Sequence, residues 1–148
     1  MGLIRIIQGD IMRIPVDAVV LAGRGSDTIR SAGQAVLEKC ETAPVKHIIR
    51  TKRPEWKGGQ HDEDRLLALC YRNILKLAAE NGLKTVAFPS FEQDGSNYPL
   101  RRAARIALLE ISDFLEEYTC LEKVFVVCGD DDTVKAYQSA IKDIDCSA

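Results

Sequence analysis

The chain contains 148 residues, of which 46% are hydrophobic and 28% are charged, and its formal net charge is -2. This length predicts a single domain over residues 1–148, and the composition is typical of a soluble globular protein rather than a disordered one. The charge argues against a surface built mainly to bind nucleic acid, and no apolar run approaches the ~20 residues of a membrane-spanning helix. The five cysteines are scattered, which favours reduced thiols and a cytoplasmic protein over a disulfide framework.

Short strand-like runs alternate with longer helix-like segments along the chain. The predicted strands are apolar, β-branched runs bounded by turn-forming residues, and they cover residues 3–8, 18–22, 46–51, 85–88 and 123–128. The predicted helices are segments with apolar residues at helical spacing, and they cover residues 31–40, 63–81, 100–118 and 132–144. Because Arg5 interrupts the first apolar run, that run is typical of a strand rather than of a secretory signal.

The alternation predicts crossover connections and a mostly parallel sheet that helices cover on both faces. In such sheets, ligands bind in the crevice beyond the carboxyl ends of the strands. Function is therefore expected in the loops that follow the strands, which are residues 9–10, 22–32, 51–62, 89–99 and 128–133.

Four stretches, in chain order, resemble one known family. The first is IIQGDI at residues 6–11 with VDAVV at 16–20, and the second is Pro54, Trp56 and Gly58-Gly59 before the apolar stripe of the 63–81 helix. The third is VAFP at 86–89 with Tyr98-Pro99 ten residues on, and the fourth is VFVVC at 124–128 with Asp130 and Tyr137. Together they are similar to the macro domain, a family that binds ADP-ribose and related nucleotides.

The resemblance implies a three-layer α/β/α fold with a mostly parallel mixed sheet of about five to six strands. It also implies a ligand site, for which the matching positions are Asp10, Ile11, Ala22, Gly23, Ser90, Gly95, Ser96, Asn97 and Gly129. Asp10 resembles the family aspartate that accepts a hydrogen bond from the adenine amino group, and Ile11 would offer its backbone N–H. An aspartate after a strand can equally form an Asx turn or cap a helix, so that structural role stays open.

The phosphate-binding positions also have two interpretations. Backbone N–H groups of residues 95–97 could cradle phosphates, because glycine and asparagine tolerate the left-handed conformations that such nests use. The same residues could form an ordinary polar loop before a helix. Arg101, Arg102 and Arg105 form a short basic cluster that favours solvated surface over a phosphate contact.

The sequence departs from the family pattern at several places around this site. Leu21-Ala22-Gly23-Arg24 stands where the family carries an asparagine-containing NAAN run, no triple glycine follows, and the chain from there to residue 46 is shortened. Asp94 occupies the position of the first glycine of the second phosphate loop, where a carboxylate would repel a diphosphate. Gly129 stands where many members place an aromatic residue that stacks on adenine.

No residue is assigned a catalytic role, and no metal site or cofactor is predicted. His47 and His61 lack the spacing of a zinc site, and Glu92 with Asp94 is read as solvated loop acids in preference to a general base or metal-ligand pair. Cys40 and Cys128 lack a neighbouring base that would activate a thiol.

Three hypotheses for function follow. The favoured one is a module that weakly binds ADP-ribose or a smaller adenine nucleotide, free or on an ADP-ribosylated protein. The second is a degenerate domain that contacts a partner protein. The third is a hydrolase of ADP-ribosyl or phosphate esters, disfavoured because the asparagine run is missing.

Overall fold

The computed structural model describes residues 3–22, 34–39, 46–52, 56–90 and 98–146. The strands are β1 Leu3–Gln8, β2 Ala18–Ala22, β3 Ala35–Lys39, β4 His47–Thr51, β5 Thr85–Pro89 and β6 Lys123–Cys128. The helices are α1 Glu63–Glu80, α2 Leu100–Glu117 and α3 Asp131–Cys146, and a short 3₁₀ helix covers Ile11–Arg13. Among these residues, no helix is long and apolar enough to cross a membrane.

The six strands form one mixed sheet in the order β1-β6-β5-β2-β4-β3. All neighbouring pairs are parallel except β3 and β4, which are antiparallel and place β3 at one edge of the sheet. Asp17 fixes the amino end of the central strands, because its carboxylate accepts N–H groups of Lys84 at 2.8 Å and Thr85 at 3.3 Å. The predicted mostly parallel sheet of about five to six strands is confirmed.

The helix predicted over residues 31–40 is wrong, because residues 35–39 form strand β3. A short apolar run can belong to a strand or to a helix, and periodicity alone does not separate the two. Pairing with β4 decides the outcome: Leu37 lies opposite Ile49, and Arg50 Nε donates to Glu38 Oε2 at 2.8 Å. The other predicted strands and helices are confirmed to within two residues at each end.

The larger hydrophobic core lies between one face of the sheet and the three α-helices. Alternate strand residues, such as Val86 and Phe88, point into it and are buried. The Phe88 ring centroid lies 5.1 Å from that of Tyr71 on α1. Helix α2 contacts both α1 and α3, so the three helices form one continuous layer.

A smaller core lies on the opposite face of the sheet. Val19, Ala87 and Val127 supply its centre, because residues at odd positions of these strands point away from the α-helices. Ile11 and Met12 of the 3₁₀ helix pack against this cluster. The 3₁₀ helix therefore lies on the second face, immediately beyond the carboxyl end of β1.

Candidate functional site

The carboxyl ends of β1, β6 and β5 come together at one end of the sheet, where the strands stop. The N–H of Gly9 donates to the Cys128 carbonyl at 3.2 Å, and the N–H of Ser90 donates to the Val127 carbonyl at 3.0 Å. These bonds extend the strand pairing beyond the last paired residues. Ser90 and Gly129 lie one residue beyond β5 and β6, and Asp10 lies two residues beyond β1. All three therefore lie at the same end of the sheet, which we call the strand edge.

Asp10 has a structural role at the strand edge. Its Oδ1 accepts the Met12 N–H at 3.0 Å and so caps the 3₁₀ helix. Its Oδ2 lies 3.8 Å from Arg13 Nε, and 59% of the Asp10 side chain is exposed. The capping role anticipated from the sequence is therefore present, and the same carboxylate remains open to a ligand.

The structure describes some of the other predicted ligand positions and not the rest. Ile11 begins the 3₁₀ helix, so its N–H has no acceptor within that helix, while its side chain packs into the smaller core. Ala22 ends β2 opposite Thr51 of β4, and Ser90 is buried. Gly129 is exposed. Gly23, Gly95, Ser96 and Asn97 lie outside the described residues, as do Cys40, Glu92 and Asp94.

Acidic residues begin helix α3. Asp130 Oδ1 accepts the Thr133 N–H at 2.8 Å, and hydrogen bonds from the Thr133 side chain and backbone lower the pKa of the Asp130 carboxyl. Asp131 and Asp132 lie in the first turn, where carboxylates complement the helix dipole. These acids stabilise the helix start, as the sequence predicts.

Helix α2 begins with the opposite charge. Pro99 precedes it without a side-chain cap, its first turn has no acidic residue, and Arg101 and Arg102 lie there instead. The N–H groups of a first helical turn carry partial positive charge, to which these arginines add. The first turn of α2 therefore suits an anion through its N–H groups, whereas Asp64 pairs with the Arg102 guanidinium and Arg101 lines a cleft between α2 and α3.

A cluster of side chains that the sequence did not indicate lies where α2 begins. Asp64 accepts a hydrogen bond from the Tyr98 hydroxyl, and Arg102 Nε lies 2.9 Å from each Asp64 carboxylate oxygen. The Trp56 ring centroid lies 4.9 Å from that of Tyr98 and 5.0 Å from Arg102 Cζ. We call these four residues the Asp64 cluster.

The pKa values of the Asp64 cluster follow from these contacts. The hydrogen bond from Arg102 holds the pKa of the Asp64 carboxyl below its ordinary value; burial opposes this effect, and the Tyr98 hydroxyl adds to it. Burial and the bond to Asp64 raise the pKa of Tyr98. Within the cluster, Asp64 is therefore an ionised acid, Tyr98 is a neutral phenol and Arg102 is a charged guanidinium.

Glu63 organises the loop between β4 and α1. Its buried carboxylate accepts the backbone N–H groups of Lys57 at 2.9 Å, Gly59 at 2.8 Å and His61 at 2.6 Å. Burial raises the pKa of this carboxyl, but the three N–H donors lower it by more, and the pKa falls from 4.5 to about 2.

We expect Glu63 to make stability depend on acidity. Because its pKa is about 2 in the folded protein and 4.5 otherwise, its contribution is fully present above pH 4.5 and is lost as the pH falls toward 2. Glu63→Gln should lower the urea midpoint at pH 7, since one amide oxygen replaces two carboxylate acceptors.

The gap in urea midpoint between wild type and Glu63→Gln should narrow between pH 4.5 and pH 2.5. Glu116→Gln, at an exposed position of α2, serves as the matched control and should track the wild type. A gap for Glu63→Gln that does not change with pH would contradict this assignment.

A cleft of about 750 Å³ lies elsewhere, between α2 and α3. Arg101, Arg105 and Lys135 line it, but Asp132 and Asp143 line it too, so its charge is mixed. We place the candidate site at the strand edge instead, because the ends of three parallel strands meet there. Within the described residues, no group of three or more His, Cys, Asp or Glu side chains could hold a metal ion.

Comparisons with known proteins point to one family. A family model described as Macro domain matches residues 23–107. A macro domain-containing protein of Methanosarcina mazei is 38% identical over 95% of this chain and 89% of its own length. An O-acetyl-ADP-ribose deacetylase of Salmonella typhimurium is 34% identical over 90% of this chain and 91% of its own length.

Solved structures agree with these sequence matches. The macrodomain of Oceanobacillus iheyensis with ADP superposes with a TM-score of 0.84 at 27% identity, covering 96% of this chain and 92% of that one. The Trypanosoma brucei macrodomain in complex with ADP-ribose gives a TM-score of 0.79 at 27% identity, covering 93% and 68%. These structures confirm the three-layer α/β/α class; among the described residues, the 3₁₀ helix supplies the helical cover of the second face. The alignment with the Methanosarcina protein extends over 166 positions, more than the 148 residues here, so that relative carries residues without a counterpart in this chain.

Proposed function

The chain belongs to the macro domain family, and on this basis we propose that it binds ADP-ribose or a smaller adenine nucleotide at the strand edge. The ligand is either the free nucleotide or an ADP-ribosyl group on a protein. We further propose that residues 1–148 act as one domain in the cytoplasm, in keeping with the described cysteines Cys70, Cys120 and Cys128, which form no disulfide with one another.

The observation that carries this proposal is the meeting of Asp10, Ser90 and Gly129 beyond three adjacent parallel strands. The exposed Asp10 carboxylate supplies an acceptor for the adenine amino group. The uncapped first turn of α2, whose N–H groups carry partial positive charge, would attract the phosphates that backbone N–H groups of residues 95–97 would bind. The superposed Oceanobacillus and Trypanosoma macrodomains hold ADP and ADP-ribose, ligands that have this chemistry.

We infer that the affinity is low. A hydrogen bond to a charged group is worth roughly 1.5–3 kcal/mol, which Asp10 retains. A stacked base is worth ~1–3 kcal/mol, and Gly129 offers no aromatic ring for it. Asp94 and the shortened first loop weaken diphosphate binding further. We therefore expect a dissociation constant of ~100 µM to millimolar, equivalent to about 4–5.5 kcal/mol.

A thermal-shift titration tests the proposal. The melting temperature should rise with ADP-ribose, ADP, AMP or NAD at millimolar concentration, because a ligand that binds only the folded state stabilises it by mass action. UMP is the control, since uracil has no amino group to donate to Asp10. Equal shifts with UMP would refute adenine recognition, and no shift with any nucleotide would favour the degenerate module that contacts a partner protein.

The deacetylase name of the Salmonella relatives raises a second candidate, hydrolysis of ADP-ribosyl esters. Catalysis needs groups preorganised toward the developing charge. Leu21 and Ala22 end β2 in place of the asparagine run, and the Leu21 side chain packs into the smaller core. Neither side chain can orient a ribose or a water molecule, so we rank this candidate below binding.

We accordingly predict no hydrolysis of O-acetyl-ADP-ribose or of ADP-ribosylated protein above a buffer control. The assay follows release of acetate or of ADP-ribose at micromolar enzyme over several hours. Turnover that a single substitution at the strand edge abolishes would contradict the prediction and establish a catalytic group there.

A further inference from the structure

We propose that Asp64 is a positioning residue for the strand-edge site. Through Tyr98 it fixes the point at which the chain that leaves β5 enters α2, and it does so without contacting the nucleotide. The consequence for affinity rests on the proposed nucleotide-binding function, whereas the positioning itself does not.

Asp64 joins the start of α1 to the start of α2. Asp64 lies in the first turn of α1, and Tyr98 and Arg102 lie at the start of α2, at least 34 positions further along the chain. The Asp64 carboxylate accepts from the Tyr98 hydroxyl and from two nitrogens of Arg102. Hydrogen bonds to an ionised, bidentate acceptor are about twice as strong as neutral ones and restrict geometry.

Trp56 joins this cluster to the loop before α1. Its ring packs against Tyr98 and also approaches Gly59 closely. A Cβ at Gly59 would lie 2.9 Å from the Trp56 ring, and Gly59 has a φ of +89°, so this close approach needs glycine. The Gly59 N–H is in turn held by Glu63.

Both ends of the segment that follows β5 are held by hydrogen bonds. Its first residue, Ser90, is buried and hydrogen-bonded to the Val127 carbonyl of β6. Its last residue, Tyr98, is buried and held by Asp64. Asp64 thereby fixes where α2 begins, and N–H donors of its first turn that are already held in place lose less conformational freedom when they bind phosphates, which means tighter binding.

The test compares Asp64→Asn, Tyr98→Phe and their double variant with Asp62→Asn. Tyr98→Phe removes only the hydroxyl and keeps the ring against Trp56. Asp62→Asn is the matched control, because the Asp62 side chain forms an exposed ion pair with Arg65 at the same helix start and its φ of 66° suits asparagine. Three quantities are measured: amide hydrogen exchange over residues 89–102 in the free protein, fluorescence of the single tryptophan Trp56, and the ADP-ribose dissociation constant by NMR titration.

We expect both single variants to speed exchange over residues 89–102 and to shift the Trp56 emission, while Asp62→Asn does neither. The ADP-ribose dissociation constant should rise about fivefold or more in each single variant. The double variant should lose about as much affinity as Asp64→Asn alone, since Tyr98→Phe removes a contact that Asp64→Asn already weakens.

Unchanged exchange and emission in Asp64→Asn and Tyr98→Phe would overturn the proposal. A lower melting temperature would also overturn the proposal if the ADP-ribose dissociation constant, measured well below that temperature, were unchanged. That result would indicate a purely structural role. If the wild type binds no nucleotide, the proposed function fails, and the exchange and emission data alone decide whether Asp64 positions Tyr98.

Discussion

Replacing Phe88 by alanine should lower the free energy of unfolding by about 3–5 kcal/mol. Phe88 is 2% exposed, lies on the central strand β5, and packs against Tyr71 in the larger core. Removing its ring leaves a cavity that the surrounding helices and strands can fill only in part. Urea unfolding followed by circular dichroism measures the change, and the slope of the transition should stay constant.

Two control variants distinguish the cavity from loss of a phenylalanine as such. Phe88→Leu should cost much less, since leucine keeps most of the buried volume. Phe125→Ala lies on the opposite face of the neighbouring strand, is only partly buried, and should also cost less. Equal losses for Phe88→Ala and Phe125→Ala would contradict the assignment of the larger core to the three-helix face.

The second large effect is expected at Asp10, where two substitutions separate binding from stability. Asp10→Asn keeps an oxygen that can cap the 3₁₀ helix, but its amide N–H₂ cannot accept a hydrogen bond from adenine. Binding of ADP-ribose should fall below detection while the melting temperature changes little. Asp10→Ala should abolish binding as well, and loss of the cap should also cost roughly 1 kcal/mol of stability.

Calorimetry with ADP-ribose and thermal unfolding of the free variants measure the two effects. Asp17→Ala is a useful contrast, because it removes the oxygen that accepts N–H groups of Lys84 and Thr85 at the opposite end of the strands. It should lower stability and leave the affinity of the folded protein unchanged. Full retention of ADP-ribose binding by Asp10→Asn would exclude Asp10 as the acceptor for adenine.

The sequence predicts most of the fold because most of the elements carry a strong local pattern. Helix α1 has a continuous apolar stripe that includes Cys70, Ile74 and Leu77, and β6 is almost wholly apolar. Strand β3 has neither signal in its five residues, and only its pairing with β4 makes it a strand. Its conformation therefore depends on residues 8 to 16 positions away, which local periodicity does not record.

The candidate site is predictable in part for the same reason. Asp10 and Asp130 follow strands directly, so the rule that places sites at the carboxyl ends of strands finds their positions. Asp64 lay in an acidic run that fits a helix start equally well, and its contact with Tyr98 exists only in the folded chain. Glu63 accepts backbone N–H groups. Because these groups do not depend on the side chain, the sequence does not indicate which residues donate them.

NMR mapping of ADP-ribose on the isotope-labelled protein tests the central claim most directly. Chemical shifts should change progressively up to millimolar ligand at the backbone amides of Gly9, Asp10, Ile11, Ser90 and Gly129. Amides of Arg105, Lys135 and Ser139, which line the cleft between α2 and α3, should stay unchanged. Shift changes confined to that cleft, or none anywhere at millimolar ADP-ribose, would contradict nucleotide binding at the strand edge.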